Sequence, residues 1–119
     1  MNFKKYLVAL IAGSFLFVSC NDDDNKNGVA GDYDNGVLIL NEGNSSASTA
    51  SVSFLSNNGT VEQDIYRTVN PTSPALGTLL QNIFFDGDKA FIVSGGSNKV
   101  TVVNRYTFKF IASIETDFN

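Results

Sequence analysis

The sequence contains no histidine and no tryptophan, one cysteine, one methionine and two prolines in 119 residues. Without histidine, Ser-His-Asp and Cys-His catalysis and every His-ligated zinc site are excluded. A single cysteine excludes an internal disulfide framework and any CxxC metal or redox motif. Basic residues are few, 8 Lys+Arg against 12 Asp+Glu, for a formal net charge of −4. This balance argues against nucleic acid as a partner, because binding phosphates requires a positive face. Long apolar runs are also missing. The longest uncharged apolar-rich stretch, Tyr6–Val18, has thirteen residues, short of the ~20 needed for a membrane-spanning helix. What is abundant is Phe, Val, Ile and Leu, with 43% hydrophobic residues in all, a composition that excludes a disordered chain.

The first twenty residues read as an address. Lys4 and Lys5 give a basic start, Tyr6–Val18 a short apolar segment, and Ser19-Cys20 a small residue directly before the thiol. That order describes a secretory signal peptide. Val18-Ser19-Cys20 resembles a lipobox, with Phe17 in place of the usual Leu. The resemblance implies cleavage after residue 19 and lipidation of Cys20, and two or more acyl chains give stable anchoring. The acidic cluster Asp22, Asp23 and Asp24 follows. It resembles the surface-export signal of Bacteroidetes lipoproteins, which implies an outer-membrane protein facing outward; its plain physical reading is a solvated tether.

Residues 20–35 are rich in Asp, Asn and Gly and read as a flexible acidic linker. Within them, Asp23 to Gly28 fits the start of a calcium loop, with Asp34 at its twelfth position. No helix-forming segment precedes it and Lys26 interrupts it, so no metal site is expected.

From residue 36 onward the pattern is all-β. Val37–Leu40 is a continuous apolar run expected in a strand buried on both faces. Val52 and Phe54, then Val61 and Ile65, alternate with polar residues across Asn57-Asn58-Gly59, a hairpin signal. Leu79–Asp86, Ala90–Val93, Lys99–Asn104 and Phe108–Ile114 read as four further strands, with turns at Asp86-Gly87-Asp88, Ser94–Asn98 and Arg105-Tyr106-Thr107. No helical period is evident beyond the leader; Thr78–Gln81 allows one helical turn at most. The strands repeat: Val37–Leu40 matches Ala90–Val93, Ser51–Leu55 matches Lys99–Val103, and Val61–Tyr66 matches Phe110–Glu115. A period near fifty with four short strands per copy points to propeller blades. The expected fold is therefore a partial β-propeller over residues 36–119, about one and three-quarter four-stranded antiparallel blades, the first lacking its innermost strand.

Gly36–Asn44, Ser51–Phe54 and Asn98–Asn104 followed by Phe108 and Ile114 resemble the YncE-like β-propeller surface lipoproteins of Bacteroidetes. That resemblance implies a seven-bladed ring of which this chain is the N-terminal part, with open strand edges here prone to self-association. It also implies a ligand-binding protein that assists a TonB-dependent transporter in capturing a corrinoid or a glycan; propellers also host lactonases and lyases, but this segment shows no set of metal-ligating or acid/base side chains for catalysis, so no enzyme is expected. A non-catalytic adhesion or interaction scaffold is the alternative.

Few residues are candidates for chemistry. Glu62 and Asp64 are expected on one face of a solvated strand, and Asp86 and Asp88 in a turn. Gly95-Gly96 lacks the Gly-Lys-Ser/Thr continuation of a phosphate loop, and no cofactor is expected. Glu42–Ala50 is the best candidate for a ligand-facing loop. Asn41, Glu42 and Asn44 supply its donors and acceptors, and Tyr33, Tyr66 and Tyr106 are aromatics suited to stacking on a ring.

Overall fold

The structure, a computed structural model, describes residues 30–117. Cys20, Asp22, Asp23 and Asp24, and the calcium-loop lookalike up to Val29, lie outside the described residues. The body is two antiparallel meanders packed face to face. The first sheet is β1 (Gly36–Asn41), β2 (Ser51–Ser56) and β3 (Val61–Glu62); the second is β4 (Leu80–Asp86), β5 (Lys89–Ser94), β6 (Lys99–Asn104) and β7 (Phe110–Glu115). Each strand pairs with its neighbour in sequence. The fold is all-β and propeller-like, open rather than closed, and the paired repeats match the sequence periodicity.

The two hairpin turns expected from Gly-containing triplets form as their chemistry requires. In the second sheet Asp86 pairs with Lys89, so the connection is Gly87-Asp88, with Gly87 at φ 59°. A two-residue hairpin loop with Gly first is favoured because its twist matches that of the strands. In the first sheet Gly59 takes φ 89°, and Asn58 Oδ1 accepts the Thr60 N–H at 3.0 Å.

Alternation then sorts the side chains. In the second sheet Ile83, Ile92, Ala90, Val103 and Phe110 share one face by register. They meet Val52 and Phe54 of β2 and Leu38 and Leu40 of β1 in a single core. Burying these apolar faces between the sheets is the main driving force for their packing.

Three elements differ from the sequence reading. Val37–Leu40 is not buried on both faces: Val37 is 57% exposed and Ile39 39%, because only the Leu38 and Leu40 side of β1 meets the second sheet. The strand expected over Val61–Tyr66 stops at Glu62. Asp64 takes a left-handed conformation and its carboxylate accepts the Arg67 N–H at 3.3 Å, capping a short helix, α1 (Ile65–Val69). Capping satisfies an otherwise orphaned N–H, and the turn drives Ile65 and Tyr66 into the core, where both are fully buried. Glu62 and Asp64 therefore do not share a strand face. Thr78–Gln81 is not a helical turn either; β4 begins at Leu80.

The packed body also extends upstream of β1. Tyr33, placed by composition in the linker, is buried at 7% exposure, edge-on to Phe54 (5.2 Å) and Phe108 (6.0 Å). Its N–H donates to Tyr106 O at 2.9 Å.

Candidate functional site

The strand directions create two distinct ends. Asn41, at the far end of β1, leads into the Glu42–Ala50 loop, and the Leu80 N–H at the start of β4 donates to Glu42 O at 3.1 Å. Gly36 and Phe85 lie at the other end, about 15–20 Å away at ~3.3 Å per residue.

The Glu42–Ala50 loop is knit to itself. Asn44 Oδ1 accepts both the N–H and the hydroxyl of Ser46 at 2.9 Å, and Asn44 N–H donates to Thr49 Oγ1 at 2.7 Å. Asn41 Nδ2 donates to Ser51 Oγ (3.1 Å) and Ser53 Oγ (3.0 Å). Much of the polar capacity of Asn41 and Asn44 thus closes the loop. Glu42 is exposed and contributes its main chain to the junction between the sheets.

At the opposite end a cavity of about 290 Å³ opens between β1 and β4. Val37, Leu38, Ile83 and Phe85 form its apolar walls, and Arg105 and Tyr106, from the β6–β7 turn, stand at its side. None of Asn41, Glu42 and Asn44 lines it. The turn is locked by Asn104, whose Oδ1 accepts the N–H groups of Tyr106 (2.9 Å) and Thr107 (3.0 Å). Arg105 N–H donates to Asp88 O at 2.8 Å. Its guanidinium carbon lies 4.5 Å from the Phe85 ring centroid and 5.0 Å from that of Tyr106. Among the described residues Arg105 makes no ion pair, whereas Lys89 pairs with Asp88 at 3.1 Å and Lys99 with Glu115 at 3.3 Å.

A second cavity, about 280 Å³, lies beside Val93, Val100 and Ile114. The cation in its wall, Lys99, is already occupied: its Nζ donates to Ala75 O at 2.6 Å besides pairing with Glu115. Of the two cavities, the first therefore has the cation without an ion pair among the described residues, Arg105, with the Asp34 carboxylate also in its lining.

Of the three tyrosines, Tyr33 and Tyr106 line the cavity, Tyr33 from its buried position and Tyr106 half-buried. Tyr66 is buried, its hydroxyl donating to Pro74 O at 2.6 Å, and burial pushes its pKa up. Tyr33 donates its hydroxyl to Glu62 Oε1 at 3.0 Å. Burial, reinforced by that carboxylate, pushes the Tyr33 pKa up to about 12. Asp34 Oδ2 accepts the Ala30 N–H at 2.9 Å. No group of three or more Cys, Asp or Glu among the described residues is arranged to hold a metal ion.

Residues 35–119 match the model of a family described as a domain of unknown function, DUF5074. The chain belongs to the DUF5074 family. The match covers both sheets, the loop and the cavity residues from Gly36 to Tyr106, but not Tyr33 and Asp34. A search of curated proteins finds no match to the chain. No helix among the described residues of this DUF5074 chain is long and apolar enough to cross a membrane.

The sequence singles out Tyr106 as a stacking aromatic but places Arg105 only in a turn. The signal was there in weak form: Arg105 is one of two arginines in an acidic chain, and it sits beside an aromatic. What no periodicity reveals is that this turn folds over the mouth between two sheets.

Proposed function

We propose that this DUF5074 chain is a ligand-binding lipoprotein of the outer membrane, tethered through Cys20 and displayed outward by the Asp22–Asp24 cluster. In this reading its β body belongs with the YncE-like propellers of Bacteroidetes and assists a TonB-dependent transporter in nutrient capture. It acts by binding and not by catalysis. The supporting observation is the Arg105 cavity: a concave, apolar-walled site with one cation on a packed β scaffold, the usual make-up of a small-molecule site. Its volume favours a small molecule or a single sugar ring over a whole corrinoid.

The test is one of location. In a Bacteroidetes host, the wild-type chain is expected to fractionate with the outer membrane and to be cut by protease added to intact cells. Cys20→Ala is expected to lose membrane partition. A Cys20→Ala chain that stays in the outer membrane overturns the lipid anchor, and wild-type protein protected from external protease overturns surface display.

The second reading, an interaction scaffold, draws on one observation. The outer face of the second sheet carries Phe84 at 55% and Ile114 at 58% exposure, an apolar surface of the kind that marks protein contacts.

A further inference from the structure

We infer that the cavity between β1 and β4 takes a small monoanionic carboxylate with an apolar or aromatic body, with the Arg105 guanidinium as its counter-charge. This names the ligand class for the binding reading above and rests on it.

Charge comes first. Arg105 is always protonated and presents a planar fork of N–H donors that matches a carboxylate in two parallel hydrogen bonds. The rings of Phe85 and Tyr106, 4.5 and 5.0 Å from the guanidinium carbon, confine the side chain. Less conformational freedom is then lost when an anion docks. No carboxylate among the described residues is paired with Arg105, although the chain has more acids than bases.

Selectivity between anions comes from Asp34. Its carboxylate also lines the cavity, engaged with the Ala30 N–H. With Arg105 and Asp34 both at the cavity, a bound monoanion leaves one net negative charge and a phosphate-monoester dianion leaves two, so the second ligand charge adds repulsion from Asp34 with no cation to offset it. The site therefore favours a carboxylate over a phosphate.

The body of the ligand follows from the walls. Val37, Leu38 and Ile83 offer no side-chain hydrogen bonds, so the part of the ligand away from Arg105 is apolar. At about 290 Å³, the cavity sits at the small end of the ~300–1,000 Å³ range of ligand pockets. A single aromatic ring with one carboxyl group meets both limits.

The experiment is calorimetric titration of the full chain in detergent with benzoate, benzamide and phenyl phosphate. Benzoate is expected to bind saturably, with benzamide and phenyl phosphate at least ten-fold weaker. Arg105→Gln is expected to weaken benzoate at least ten-fold, with an unchanged circular dichroism spectrum and melting temperature. Arg105→Lys keeps the charge without the fork and should fall between. Equal affinity for benzoate and benzamide overturns the carboxylate assignment and needs no variant. So does benzoate binding indifferent to Arg105→Gln, and so does a failure of benzoate to saturate. The Cys20→Ala fractionation is independent of this site, so failure of the lipoprotein reading is distinguishable from failure of the carboxylate site.

Discussion

The side-chain amide of Asn70 donates to the carbonyl of Phe108 at 2.9 Å, thirty-eight residues away. The same side chain accepts the Phe110 N–H at 2.8 Å and donates to Tyr66 O at 3.0 Å. Asn70 follows α1 of the first sheet, and Phe108 and Phe110 belong to the last hairpin of the second. One buried amide thus ties the two sheets together at a point where the Phe108 backbone takes the left-handed conformation, φ 61°, that a bulky residue ordinarily avoids.

Asn70→Ala is expected to destabilise the chain by about 2–4 kcal/mol, since it strands a buried carbonyl and a buried N–H at once. Urea unfolding followed by tyrosine fluorescence measures it. A loss under ~0.5 kcal/mol would show that water replaces the amide and that the clamp is not structural.

Phe108 is fully buried whereas Phe84 is 55% exposed. Phe108→Ala should cost about 3–5 kcal/mol by emptying the space against Tyr33. Phe84→Ala should change stability by only ~0.5 kcal/mol. Equal losses at the two positions would mean that the outer face of the second sheet is covered in solution, and sedimentation would then report an oligomer.

Alkaline pH should unfold the protein through Tyr33. Its folded pKa is raised, to about 12 from 10. Below pH 10 both states hold the proton and the full stability is present. As the pH rises from 10 toward 12, the unfolded chain releases the proton first, so stability falls. Tyr33→Phe should flatten that part of the stability–pH curve. It should also lower stability at neutral pH, because Glu62 loses its partner. An identical alkaline limb in wild type and variant would assign the transition to another group.

Glu42 joins the sheets through its backbone carbonyl alone, which receives the Leu80 N–H. Glu42→Ala should leave stability within ~0.5 kcal/mol of wild type and leave benzoate affinity unchanged. A ten-fold loss of benzoate affinity in Glu42→Ala would move the ligand site to the Glu42–Ala50 loop.

Strands with strong local signals are legible in the sequence. Lys99–Asn104 has the expected bounds, and β4, β5 and β2 shift by only a residue at either end, because β-branched alternation and Gly turns act within a few residues of one another. The helix at Ile65–Val69 was missed because five residues show no period. What starts it is Asp64 in a left-handed cap, and what holds it is the burial of Ile65 and Tyr66 against β2. Tyr33 looks like linker for a related reason: its neighbours are Asp, Gly and Asn, and only contact with Phe54 and Phe108 sets it apart.

Local chemistry in the chain was enough to specify the β body, its repeat, its hairpins and the leader-like start, since each depends on neighbours a few positions away. Which faces became interior, where the cavity opened and which cation reached it were left to the docking of one sheet on the other. Val37, Phe85 and Arg105 are far apart along the backbone, and no short-range preference brings them together. They meet because Val52, Ile92 and Phe108 must leave water, and burying them docks one sheet on the other.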